Sequence, residues 1–329
     1  MSRKHRLPAW LPGALLLGLL LVIGVHYGES KHFLELLQRA EPSWLVVAGV
    51  LQLATYFCTA LIFKAGLRRS HSPVRLRSLV PLGLMKLFID QVVPSAGIGG
   101  TVLVIRSLAR RGVSVGVATA VVVVSLLGFY VAYAASVAIC LVILWRSHEL
   151  SGAVMLLVTI VSLLTATVPV TLLWLTRGGA MKAPAWMRRF PGLAPVLEAM
   201  AEAPQSTIHD RKLLIASAGL QFTIFLLDAA TLRAMLLALG YSAGIETVFA
   251  SFVLASVAAT ISFLPGGVGP FEAVSVGTLR VMGVPLEASI TGTILLRGFT
   301  LWLPMLPGLW LARREMGRIG DGSPAGEAI

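Results

Sequence analysis

The stretch FLPGGVGPFEA, residues 263–273, sits between two long apolar segments and sets Pro265, Gly266, Gly267, Gly269 and Pro270 where a helix would be expected to continue. A carboxylate, Glu272, follows at once. Such a break has a different meaning in water and in lipid, so its surroundings come first. The chain is 57% hydrophobic and 13% charged, with a mean hydropathy of +0.86. Soluble domains carry about 25% charged residues, so this sequence is too poor in charge to coat a globule and reads as an all-α, polytopic membrane protein. Its formal charge of +12 fits cytoplasmic anchoring by Lys and Arg better than nucleic-acid binding. Cys58 and Cys140 both fall inside apolar runs and read as small buried hydrophobes.

Membrane-crossing helices need roughly 20 mostly apolar residues. Residues 8–27, 44–63, 113–145, 152–175, 213–239 and 286–312 meet that requirement, giving about six full spans. The first follows MSRKHR and has no A-x-A-type cleavage site after it, so it is expected to be an uncleaved helix rather than a signal peptide. Two further segments, 79–112 and 247–283, are apolar but interrupted by proline and glycine. Read as re-entrant hairpins, they leave most basic residues on one side. That side holds Arg3, Lys4 and Arg6, the cluster from Lys64 to Arg77, Arg106, Arg110 and Arg111, the connector 176–212, and Arg313, Arg314 and Arg318. A single crossing by 79–112 would put the basic connector outside, against the positive-inside rule. The expected protein is therefore a single membrane domain over 1–329, multi-pass in the cytoplasmic (inner) membrane. Both termini and the 176–212 connector are cytoplasmic, and the 28–43 and 146–151 loops are outside.

The two interrupted segments match each other. VPSAGIGGTVLVIRSLARRGVSVGVAT from Val93 aligns without gaps to LPGGVGPFEAVSVGTLRVMGVPLEASI from Leu264, pairing Pro94 with Pro265, Leu108 with Leu279, Gly112 with Gly283 and Val113 with Val284. Each copy runs from proline through a small, Gly-rich loop into a short apolar helix, then Gly-Val and the next span. Copies that enter from opposite faces make an internal inverted repeat, the arrangement of secondary transporters in which broken helices meet near the midplane. Unwound backbone at membrane depth is tolerated only where it lines a cavity or is buried in protein. Glycine supplies positive φ and close approach, while proline starts or ends a half-helix. The half-helix beginning near Pro270 would then aim a positive dipole end at an anionic group such as phosphate. A packed helix merely kinked by glycine and proline is the plainer alternative.

These residues resemble a known family. FLPGGVGPFEA, Gly283-Val284 and LLRGFTLWLPMLPGL at 295–309 look like the second signature region of the lysylphosphatidylglycerol synthase transmembrane (flippase-like) family, and VVPSAGIGGTVLVIRSLARRGVS at 92–114 looks like its first. The resemblance implies an all-helical integral membrane protein of bacterial and archaeal lipid modification or translocation. In multidomain relatives this module is the part thought to flip an aminoacylated phospholipid. A stand-alone member without the aminoacyltransferase domain is expected here, because the chain ends at Ile329. It would not itself make lysyl-lipid.

Charges inside spans are costly and mark function by default. Lys86 and Asp90, four apart on the way to Pro94, either neutralise each other or meet substrate. Glu272 and Arg297 occupy the family's motif positions, so Arg297 either pairs with Glu272 across the fold or grips a lipid phosphate through its guanidinium fork. Asp228 and Arg233, five apart, do not share a helix face well and need partners elsewhere. Arg106 aligns with Gly277, so the charges do not follow the repeat. The candidate substrate-binding positions are Pro94, Gly99, Gly100, Lys86, Asp90 and Arg106 in the first copy, with Pro265, Gly266, Gly267, Gly269, Glu272 and Arg297 in or after the second.

The sequence has no H-E-x-x-H and no P-loop, and its six histidines lack metal-ligand spacing. No cofactor, metal or nucleic-acid partner is expected. The 176–212 connector, with Trp186 and several prolines, is either an amphipathic segment on anionic lipid or a simple basic connector. The reading that follows is a lipid flippase or transporter moving a phosphate-bearing lipid, either a phospholipid or an isoprenoid-phosphate lipid. The rivals are an accessory subunit presenting lipid to a partner lipid-modifying enzyme, and a membrane-embedded enzyme using Glu272 or Asp90 as a base. The lipid, its energy source and the oligomeric state are left open.

Overall fold

In the computed structural model, the described residues are 40–72, 74–92, 98–146, 167, 174, 203–262, 264–304, 307, 308, 310 and 311. They are helical, with no strand among them. Eight helices matter here: α1 (Pro42–Arg69), α2 (Leu76–Val92), α3 (Ile98–Ala109), α4 (Val115–Arg146), α5 (Arg211–Ala238), α6 (Ile245–Ile261), α7 (Pro270–Val281) and α8 (Leu286–Arg297). Of these, α1, α4 and α5 are long and apolar enough to cross a membrane by themselves, matching the expected spans 44–63, 113–145 and 213–239. The expected span 8–27 lies outside the described residues. So does 152–175, apart from Thr167 and Trp174, which are helical. In the connector 176–212, description begins at Ala203 and includes a one-turn helix, Gln205–Ile208.

The repeat is larger than the matched motifs. α1 and α5 are both 28 residues long, α2 and α6 both 17, and α3 and α7 both 12. The ends of α1 and α5 differ by 169 positions (42 to 211, 69 to 238), as do those of α2 and α6 (76 to 245, 92 to 261). The ends of α3 and α7 differ by 172, and the starts of α4 and α8 by 171. Gly112 and Gly283 both turn into the left-handed region, at φ 83° and 91°. The Val113 amide donates to the Leu108 carbonyl at 3.2 Å, and the Val284 amide to the Leu279 carbonyl at 2.9 Å. This six-to-one bond, with a left-handed glycine before it, is the Schellman way of stopping a helix. Leu108 and Leu279 are fully buried beneath these two stops.

α1 and its counterpart α5 run in opposite directions. The Glu41 amide, just before α1, donates to the Ala238 carbonyl at the end of α5 at 2.9 Å. At the other end, Arg69 of α1 pairs with Asp210, the N-cap of α5. α1 and α5 therefore pack antiparallel along their length.

The helices on either side of each interrupted stretch of sequence pack on each other, α2 on α3 and α6 on α7. At 1.5 Å per residue a 12-residue helix reaches only about 18 Å, short of the roughly 30 Å hydrocarbon core. α2 also packs against the Pro265–Gly267 turn.

Two apolar clusters hold the copies together. One gathers Phe63, Leu67, Leu79, Leu82, Val104 and Leu108 from α1, α2 and α3. The other gathers Leu232, Leu236, Val253, Phe271, Leu279 and Leu296 from α5 to α8. Between lipid-facing helices the hydrophobic effect is weak, so small residues and buried hydroxyls carry much of the association. A methyl group built on Gly66 would meet Val121 of α4 at 2.8 Å, and one built on Gly292 of α8 would meet Leu236 of α5 at 2.8 Å. Val121 and Gly292 are counterparts, 171 apart, while Gly66 and Leu236 lie one position out of register. Ser275 Oγ lies 3.0 Å from Ser251 Oγ and 3.0 Å from Thr293 Oγ1, tying α7 to α6 and α8 through side chains with no solvent exposure.

Candidate functional site: a broken-helix cradle around Arg297

Between α6 and α7 the chain makes a single 3₁₀ turn, Pro265–Gly267, and then restarts at Pro270. Gly266, Gly267 and Gly269 all have positive φ, at 63°, 64° and 95°, a region costing an L-residue about 1–2 kcal/mol. Gly267 is needed for space as well: a Cβ there would stand 2.3 Å from the Ala259 Cβ of α6. Gly269 has open space around it and is needed for conformation alone.

Pro270 sits at the first position of α7, where its missing N–H costs nothing. Two residues on, Glu272 reaches back and its Oε2 accepts the Gly269 amide at 2.6 Å. This is one half of a capping box, since glycine has no side chain to return the bond. The half-helix terminus expected to present free N–H groups is thus already served, at its Ncap amide, by a carboxylate from its own chain.

The other oxygen of Glu272 meets Arg297. Arg297 Nε donates to Glu272 Oε1 at 2.7 Å, and Nη2 donates to the Gly266 carbonyl in a short contact. The guanidinium carbon lies 4.6 Å from the centroid of the Phe271 ring. Phe271 is held in turn by an edge-on contact with Phe252 at 5.9 Å. Arg297 is 8% exposed, so a carboxylate, a carbonyl and a π-face replace its hydration. These three contacts engage Nε, one Nη2 proton and one face of the guanidinium, while Nη1 makes no hydrogen bond to any described residue. Arg297 is also the last residue of α8 before a π-helical turn, Gly298–Trp302. Such widened turns are frequent at functional positions.

The other candidate positions are distributed differently. Arg106 is exposed and does not reach this cradle. Gly100 is buried near the start of α3, and Gly99 lies in the same helix. Pro94 and the Asp90 side chain lie outside the described residues, and with them any pairing of Asp90 with Lys86; Lys86 itself is half-buried on α2. Asp228 finds an amide: Gln52 Nε2 of α1 donates to Asp228 Oδ1 at 2.9 Å and to Thr231 Oγ1 at 3.0 Å. Arg233 is exposed. The sequence reading missed Phe271, Gln52 and the Ser251–Ser275–Thr293 network. The aromatic between Pro270 and Glu272 was the one local signal available for Phe271.

The model of the family described as the lysylphosphatidylglycerol synthase TM region matches residues 10–308. The chain belongs to this family. Phosphatidylglycerol lysyltransferase of Bacillus subtilis (strain 168) is 29% identical over 103 residues, covering 31% of this chain and 12% of that protein. Its counterpart in Staphylococcus haemolyticus (strain JCSC1435) is 34% identical over 71 residues, covering 22% of this chain and 8% of that protein. The match therefore spans about a tenth of the length of these curated relatives. Membership makes this a helical membrane protein of a family tied to phospholipid handling.

Proposed function

We propose that this protein is a lipid flippase, moving a phosphate-bearing lipid across the cytoplasmic membrane at the junction of two re-entrant hairpins. The observation that carries the reading is Arg297. A buried guanidinium is held in place by Glu272, the Gly266 carbonyl and Phe271, and Nη1 makes no bond to any described residue. A purely structural ion pair would not need three left-handed glycines to bring a carbonyl and a carboxylate to one arginine. A lipid phosphate fits the open side, where two N–H groups can donate to two of its oxygens. In this role Glu272 positions Arg297 and offsets its charge when no lipid is present.

The antiparallel packing of α1 on α5 supports an inverted-topology transporter. If α1 and α5 cross the membrane in opposite senses, the axis relating the copies lies in the membrane plane. The α2–α3 and α6–α7 hairpins would then dip from opposite faces and meet near mid-depth. Six full spans flank them, with the termini and the 176–212 connector in the cytoplasm. The junction of α2 and α3 would face the Pro265–Gly269 turn across the lipid path, with Lys86, Asp90 and Arg106 on the first copy's side.

The test is direct. The purified chain is placed in vesicles carrying a headgroup-labelled phosphatidylglycerol, and the label reachable by an impermeant quencher is followed over time. Exchange between leaflets well above that of protein-free vesicles is expected. Exchange at the protein-free rate, from correctly folded protein, would overturn the reading and leave lipid presentation to a partner enzyme as the better account.

A further inference from the structure

A second site lies at the opposite end of α1 from Glu41. We infer that the groove between the end of α1 and the start of α5 binds the headgroup of an anionic phospholipid from the leaflet on that side. The groove encloses about 540 Å³. Lys64 and Arg68 of α1 and Lys212 of α5 surround it, all exposed. Lys64 and Arg68 share one face of α1 because they are four residues apart, and Leu61 and Ala65 continue that face toward the middle of the helix. Leu213 supplies the apolar wall from α5. Cations at the rim with an apolar strip running inward match an amphiphile, phosphate at the mouth and acyl chain along Leu61 and Ala65, better than a free anion.

The groove also contains a carboxylate, Asp210, which has to be accounted for. Asp210 Oδ1 accepts the Lys212 and Leu213 amides at 3.0 and 3.2 Å, and Oδ2 is taken by Arg69. Its charge is committed to capping α5 and pairing with Arg69, which leaves Lys64, Arg68 and Lys212 without a carboxylate partner among the described residues. His71 completes the mouth.

The internal repeat supplies a control. Moving each residue to its counterpart 169 positions away, Lys64 becomes Arg233 and Asp210 becomes Glu41, but Arg68 becomes Leu237, Arg69 becomes Ala238 and Lys212 becomes Ser43. The backbone is duplicated and the cation cluster is not. The same helix junction at the other end of the molecule has one basic residue where this one has four. A groove required only by packing would have no reason to differ in this way. Charge confined to one end fits a site selective for lipid of one leaflet, and basic pockets between membrane helices suit lipid phosphate groups. The inference needs only that the chain sits in a membrane, so it stands or falls separately from transport.

The experiment is native mass spectrometry of the detergent-solubilised full chain titrated with phosphatidylglycerol, phosphatidylcholine or inorganic phosphate. Wild type should retain phosphatidylglycerol in preference to phosphatidylcholine, and millimolar phosphate should not displace it. Each of Lys64→Gln, Arg68→Gln and Lys212→Gln should weaken that retention about fivefold, from the roughly 1 kcal/mol each surface cation contributes. Arg233→Gln, at the counterpart position, should leave it unchanged. Unfolding temperatures of the single variants confirm that the fold is intact. Three glutamine variants that retain phosphatidylglycerol like wild type, or an equal loss in Arg233→Gln, would overturn the site. Displacement by phosphate at matching concentration would make it a free-anion site instead.

Discussion

Replacing Arg297 with methionine should destabilise the protein by about 4 kcal/mol, and also replacing Glu272 with leucine should return most of it. In the single variant the Glu272 carboxylate, whose side chain is 18% exposed, loses its cation. Breaking a buried pair by removing one partner costs about 3–5 kcal/mol, and the partial exposure of Glu272 favours the low end. Loss of the contact with Phe271 adds roughly 0.5–1 kcal/mol. In the double variant no isolated charge is left. What stays unsatisfied is the Gly266 carbonyl and the Gly269 amide, and Gly269 is exposed, so water can take that bond. The residual loss should be about 1–2 kcal/mol. Reversible unfolding in mixed micelles, titrated with a denaturing detergent, measures all four members of the cycle. A double variant as unstable as Arg297→Met would refute the reasoning, because the cost would then come from lost packing or from the Gly266 carbonyl rather than from an orphaned carboxylate.

Gly267→Ala should cost about 2–5 kcal/mol, from the left-handed backbone plus the 2.3 Å approach to Ala259, whereas Gly269→Ala should cost about 1–2 kcal/mol from backbone alone; equal losses in the same unfolding assay would contradict this. A cysteine at the exposed Ser206 should resist an impermeant thiol reagent in intact cells and react after permeabilisation, while one at Ser30 should react without it. Labelling of Ser206 in intact cells would reverse the proposed orientation. Arg69 first, and then the Leu213 amide, hold the Asp210 carboxyl below its usual range. A depressed carboxylate stabilises the fold above its unfolded pKa of about 3.9 and loses that contribution as pH falls through the lower folded value. Asp210→Asn should therefore remove part of the acid sensitivity below about pH 4, and an unchanged acid profile would show that the clamp contributes nothing.

The sequence made the breaks legible and left the extent of the repeat hidden. Proline and glycine at 265–270 declare a broken helix without any partner, and the stops at Gly112 and Gly283 can be matched by eye. The longer repeat could not be matched in that way because the spacing changes from 169 to 171 across the breaks, so an alignment anchored at Pro94 slips out of register in α1 and α2. Along α1 and α5 few residues coincide, Gln52 with Gln221 and Leu67 with Leu236 among them, since lipid-facing surfaces accept any apolar side chain. Glu272 with Arg297 was one of two readings open from the sequence, and the fold brings the pair together. Gln52 with Asp228 was not legible at all, because 176 residues separate them and only the antiparallel packing of α1 on α5 makes them neighbours. The charge asymmetry between the two ends of that helix pair became visible only once the fold identified which residues are counterparts.

The central claim is that Arg297 engages the transported lipid rather than merely holding α8 to the broken helix. The Arg297→Met, Glu272→Leu double variant tests it in vesicles carrying headgroup-labelled phosphatidylglycerol, compared at equal folded protein with wild type. The account predicts a folded double variant whose leaflet exchange falls to the protein-free rate. Exchange at the wild-type rate would contradict it and reduce Arg297 to scaffolding.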